Sequence, residues 1–147
     1  MLQIKFDDNN LNAEKIENGP KKRILIVDDE ADITLSFGLA LEDSGLFEVD
    51  TYNDSLVALS NYRPNSYDLL LLDIRMPGMN GFKLCDKIKK IDKKIKVCFI
   101  SAYDVDYAAL EEQYPSFKRD GLIPNNIIRK PIDIKELIER IELELLT

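Results

Sequence analysis

The chain has 147 residues, 45% of them hydrophobic and 32% charged, with a net charge of −7, two cysteines and no histidine. That length holds one domain with a full core and excludes two ordinary ones. The acidic balance argues against binding nucleic acid through its phosphates, and the absence of histidine excludes His-based acid–base chemistry, His metal sites and a phosphohistidine relay within this chain.

Residues 1–20 are polar, with weak alternation at Leu2, Ile4 and Phe6, and end in the turn-like "ENGP". They read as an arm or an added edge element that is no domain and no signal peptide. The domain is expected over 21–147. "RILIVD" (23–28) is a continuous apolar strand, followed by a helix from Ala31 to Ser44 with Ile33, Phe37, Ala40 and Leu41 at helical spacing and Gly45 as its stop. "FEVDTY" (47–52) alternates as a half-buried strand, and a short helix spans roughly Ser55–Tyr62. "YDLLLLDI" (67–74) is another buried strand. In "RMPGMNG", Pro77 and Gly78 fit the central positions of a type II turn. The next helix places Phe82, Cys85, Ile88 and Ile91 on one face. "IKVCFISA" (95–102) and "NIIRK" (126–130) are the fourth and fifth strands. Between them lie one helix, near Val105 to Gln113, and an irregular stretch, "YPSFKRDGLIPNN". A last helix carries Ile134, Leu137, Ile138, Ile141 and Leu145.

Continuous apolar strands alternating with helices mean an α/β domain whose parallel sheet is covered on both faces. Cys85 and Cys98 lack metal-ligand spacing and sit in apolar patterns, as reduced core residues of a cytoplasmic protein do. No apolar run is long enough to insert in a membrane. The lysine-rich stretches at 20–23 and 87–96 read as solvated faces.

Ligands of such sheets bind outside the carboxyl ends of the strands. Those ends carry Asp28 and Asp29, then Asp73, then Ser101, then Lys130 before Pro131. Taken singly, each has a plain role as a helix cap, a turn residue or a surface charge. Together they form one coherent set. Adjacent carboxylates repel and resist desolvation. Three of them at one rim call for a hard divalent cation, and Mg²⁺ suits carboxylate, carbonyl and water oxygens. The Lys130 ammonium is the second counter-charge.

"VDDE", "LLLLDIRMPGMNG", "ISA" and "RKP", in this order over residues 23–147, resemble the receiver domain of two-component response regulators. The resemblance implies a flavodoxin-like (βα)₅ fold with a five-stranded parallel sheet. It implies that Asp73 is the phosphoacceptor in a Mg²⁺-dependent reaction. Asp29 would ligate the metal directly, Asp28 largely through water, and Arg75 through its backbone carbonyl. Ser101 would donate to a phosphoryl oxygen, Lys130 would pair with the phosphoryl charge, and the Lys130–Pro131 bond would be cis. The donor would be an external histidine kinase or phosphotransfer protein. With no output domain after Thr147, the chain would act through contacts with a protein target and catalyse only its own phosphoryl transfer and slow dephosphorylation.

Two features depart from the family pattern. The switch position three residues before the lysine, usually Tyr or Phe, is Ile127, which lacks a flat ring or hydroxyl and puts the usual coupling to Ser101 in doubt. The segment from Ser101 to Lys130 is also long, on the side where receiver domains engage partners. Arg75 and Tyr103 flank the expected site. Ile127 supports an alternative reading, a phosphorylation-independent interaction module of the same shape. An aspartyl-phosphate hydrolase of the haloacid-dehalogenase type would need D-x-D at the first strand, where this chain has Asp28–Asp29–Glu30.

Overall fold

The computed structural model describes residues 20–123 and 125–147. The expected arm lies almost wholly outside them. The elements run β1 (Lys22–Val27), α1 (Ala31–Asp43), β2 (Phe47–Tyr52), α2 (Ser55–Asn61), β3 (Leu69–Asp73) and α3 (Gly81–Ile91). They continue with β4 (Lys96–Ser101), α4 (Tyr107–Gln113), α5 (Pro115–Arg119), β5 (Ile127–Arg129) and α6 (Ile134–Leu145). All strand pairs are parallel, and the sheet order is β2-β1-β3-β4-β5. This is the flavodoxin-like arrangement. The order reverses beside β1, so the carboxyl ends of β1 and β3 flank the switch point.

The apolar runs explain the two-faced core. In β1, β3 and β4, successive residues point to opposite faces. Leu25, Val27, Leu70, Leu72, Val97 and Phe99 pack with Ala58 of α2, Phe82 of α3, Leu110 of α4 and Phe117 of α5. Ile24, Ile26, Leu69, Leu71, Cys98 and Ile100 pack with Leu41 of α1 and with Leu137 and Ile141 of α6. Neither run leaves a solvated face, so neither alternates.

The structure corrects four local expectations. The "irregular" stretch contains a helix, α5, with Pro115 in its first turn. Its Phe117, 1% exposed, stacks on Tyr114 at 4.8 Å and meets the Phe99 and Phe82 rings, which are themselves 4.8 Å apart. This aromatic burial overrides the weak local propensity of "YPSFKRDG". Ile91 is half exposed at the last position of α3, whereas Ile88, three residues earlier, is fully buried. On α1 the fully buried positions are Thr34, Gly38 and Leu41, while Ile33, Phe37 and Ala40 are only partly covered. Finally, Gly78 is left-handed (φ 81°), but the loop is closed by Met79 N–H donating to Pro77 O at 2.9 Å. That makes a γ-turn instead of the type II turn.

Cys85 and Cys98 are free and buried. Burial pushes both thiols up to about 12.

Candidate functional site

The chain leaves β1 at Val27, and Asp28 turns its carboxylate inward, with only 2% of the residue exposed. Asp28 Oδ1 accepts from Glu30 N–H at 2.9 Å, and its backbone carbonyl accepts from Asn53 Nδ2 at 2.8 Å. The same Asn53 amide donates to Thr34 Oγ1 at 2.9 Å, tying the loop after β2 to α1. Neither Asp28 nor Asp29 caps α1. Glu30 holds the N-cap position, with no side-chain cap bond. The helix-cap explanation of these acids therefore does not apply. Asp29 stays exposed at the pocket mouth.

Asp73 ends β3, and the loop beyond it returns tightly enough for Gly81 N–H to donate to Ile74 O at 2.8 Å. A Cβ at Gly81 would stand 2.2 Å from the Asp73 carbonyl oxygen, so only glycine lets α3 start there. Asn80 caps α3 by accepting from Lys83 N–H at 2.9 Å, and Ser55 Oγ donates to Met79 O at 2.8 Å. These bonds hold the "RMPGMNG" loop beside Asp73.

Lys130 follows β5, its N–H donating to Ser101 O at 2.7 Å, and the Lys130–Pro131 bond is cis as expected. Its ammonium reaches across the rim to 3.3 Å from Asp28 Oδ2 and 3.3 Å from Asp73 Oδ1, and to 3.9 Å from Glu30 Oε1. Burial alone would pull this ammonium down. The charges of Asp28 and Asp73, with a hydrogen bond to each, outweigh it and hold the group above its ordinary value. For Asp73, burial and then the Asp28 charge push the carboxyl up to about 6, against the opposing pull of Lys130. One lysine does not balance this acidic group.

A metal would. Asp28, Asp29 and Asp73 each present an oxygen, all within 4.8 Å of one another. An octahedral Mg²⁺ with ligands near 2.0–2.1 Å needs opposed oxygens about 4.2 Å apart. The three carboxylates are close to that envelope, and their hard oxygens and uncompensated charge fit the ion.

Asp29, Glu30, Asp73, Arg75, Ser101, Ala102, Tyr103 and Lys130 line a cavity of about 240 Å³. The Ser101 hydroxyl faces it but is engaged, donating to Tyr103 O at 2.7 Å and accepting from Tyr103 N–H at 3.0 Å. The Arg75 guanidinium lies over the Tyr103 ring, 4.4 Å from its centroid. The strand-tip residues therefore converge as expected. Ile127 does not join them: it is half-buried, paired in register with Phe99 and packed on the core face of α2–α5.

Sequence reasoning missed Glu30 as a neighbour of Lys130 and Asn53 as the brace of the Asp28 loop. Glu30 was visible in "DDE". Asn53 had no signal, because its partners lie 25 and 19 residues away.

Fold and rim together define a doubly wound α/β domain in which carboxylates, a hydroxyl and an ammonium meet at the switch point of the sheet. The chain belongs to the response regulator receiver domain family, whose profile matches residues 24–142. It is 35% identical over 126 residues to chemotaxis protein CheY of Treponema pallidum, covering 84% of this chain and 83% of that one. It is 29% identical over 120 residues to transcriptional regulatory protein PrrA of Mycobacterium leprae, covering 82% of this chain but 48% of that protein. Thus it spans about half the length of some of the curated relatives it matches. Among solved structures, it is similar to the non-phosphorylated HemR receiver domain of Leptospira biflexa. The TM-score is 0.71 at 31% identity, over 86% of this chain and 96% of that one. Among the described residues, no helix is long and apolar enough to cross a membrane.

Proposed function

We propose that this protein is a cytoplasmic, phosphorylation-dependent signalling switch. Asp73 accepts a phosphoryl group from the phosphohistidine of a histidine kinase or phosphotransfer protein and passes the signal on by protein contacts. An Asp73 oxygen attacks phosphorus, the P–N bond breaks and the imidazole leaves with the bonding pair. The observation that carries this reading is the Asp73 carboxylate itself. It is nearly buried, 3.3 Å from the Lys130 ammonium, and within reach of one cation shared with Asp28 and Asp29.

Phosphoryl transfer needs little covalent chemistry from the protein, so positioning and charge neutralisation carry the catalysis. Bound Mg²⁺, held by Asp28, Asp29, Asp73 and the Arg75 carbonyl, would supply neutralisation of the phosphoryl oxygens. Lys130 provides a point charge already aimed at Asp73. Ser101 exchanges its bond to Tyr103 O for one to a phosphoryl oxygen. Asp28, through its bonds to Glu30 N–H and Lys130, fixes the position of both neighbours. The chain turns over nothing beyond its own phosphoryl transfer and slow dephosphorylation.

The phosphorylation-independent module keeps one specific argument, the half-buried Ile127 without a polar tip. Intact mass after incubation with Mg²⁺ and acetyl phosphate separates the two readings. One phosphoryl adduct is expected in the wild type and none in Asp73→Ala or in chelator. No adduct, together with no binding of beryllofluoride, would overturn the phosphoacceptor reading.

A further inference from the structure

The Asp73 cavity holds a second cation. Arg75 lies two residues beyond Asp73, is exposed, and lines the same cavity as Asp73 and Lys130. Among the described residues it makes no ion pair, although Asp29, Glu30 and Asp73 line the cavity with it. Its guanidinium rests instead on the Tyr103 ring at 4.4 Å. Tyr103 is in turn tied through its backbone, its N–H and carbonyl both bonded to the Ser101 hydroxyl. The next residue, Asp104, pairs with Arg129, directly before Lys130. Arg75, Tyr103, Ser101 and Lys130 thus form a continuous chain of contacts beside the reactive carboxylate.

We infer that Arg75 is a second phosphoryl-binding cation, parked on Tyr103 while Asp73 is unmodified, and that its departure frees Tyr103 to be the moving aromatic that position 127 lacks. This rests on the reading of Asp73 as phosphoacceptor. A phosphoryl group brings oxygens that suit the planar fork of a guanidinium, and a charge-assisted bond of that kind outweighs a solvent-exposed cation–π contact. The same arrival draws the Ser101 hydroxyl away from Tyr103 O. One event therefore undoes two of the three ties on Tyr103, the stack on its ring and the bond on its carbonyl. Ile127 cannot take this part, being packed against the core and unable to accept or donate.

The test is titration of the full chain with beryllofluoride in saturating Mg²⁺, followed by calorimetry and by hydrogen exchange over residues 102–106. Arg75→Gln is expected to weaken beryllofluoride binding about tenfold, the loss of one charge-assisted contact. Tyr103→Ala is expected to tighten it about threefold, because the cation no longer has to leave the ring. Tyr103→Phe, which keeps the ring, should match the wild type. Both side chains are exposed, so the variants should melt as the wild type does. Exchange at 102–106 should rise when beryllofluoride binds. Unchanged affinity in Arg75→Gln would overturn the proposal, as would weakening by both Arg75→Gln and Tyr103→Ala. A wild type that binds beryllofluoride and forms the phosphoryl adduct without faster exchange at 102–106 would overturn the release of Tyr103 alone. A wild type that does neither would overturn the phosphoacceptor reading and this inference together.

Discussion

Asp73→Asn should stabilise the metal-free protein by an amount that grows as pH rises from about 4 to about 6. The carboxyl is 8% exposed and titrates near 6, against an ordinary 3.8, because burial and the Asp28 charge disfavour its ionised form more than Lys130 favours it. Between those two values the unfolded chain has released this proton while the folded chain still holds it. Stability therefore falls as pH rises through the window, and below it the contribution is fully present. The shift of about two pK units corresponds to roughly 3 kcal/mol, which screening at the open mouth of the cavity reduces to about 1–2 kcal/mol. Asparagine has the same shape and does not titrate. It leaves Lys130 paired with Asp28 at 3.3 Å, so no ammonium is orphaned. Urea unfolding in EDTA, followed by circular dichroism from pH 4 to 8, should give superimposable stabilities at the acid end. At pH 7.5 the variant should lead by about 1–2 kcal/mol, or about 3–8 °C in Tm. A difference that does not change with pH would refute the claim that Asp73 carries uncompensated charge in the folded state.

Magnesium should offset the same uncompensated charge in the wild type. At 10 mM, and with millimolar affinity, it should stabilise the wild type at pH 7.5 by about 1.4 kcal/mol by mass action. Asp29→Ala should lose that response in differential scanning calorimetry and melt no lower than the wild type in EDTA. Gly81→Ala places a methyl 2.2 Å from the Asp73 carbonyl oxygen and should cost about 3 kcal/mol in urea unfolding while also weakening the magnesium response. Phe117→Ala should cost about 3–5 kcal/mol, since its ring is fully enclosed by Tyr114, Phe99 and Phe82. Ile91→Ala, half exposed at the end of α3, should cost under about 0.5 kcal/mol in the same assay.

Much of this protein was legible in its sequence, for identifiable reasons. Strands buried on both faces must be apolar at consecutive positions, so "ILIV" and "LLLL" announced a covered parallel sheet. Parallel strands put their carboxyl ends on one edge, so Asp28, Asp29, Asp73, Ser101 and Lys130 could be placed at one rim. Other features depended on contacts far apart in the chain. The helix at Pro115–Arg119 exists because Phe117 finds an aromatic pocket built from α3, β4 and Tyr114, and its own residues show no helical period. The brace from Asn53 to Asp28 and Thr34 joins two loops and α1, which sequence order keeps apart. The Ser101 hydroxyl bonds and the Arg75 stack also belong to this group, because a side chain's partner is chosen by the space left after packing. Local pattern determined which groups come to the edge, since covalent alternation dictates direction. Tertiary packing alone decided how those groups pair, since pairing depends on distances that only the folded chain defines.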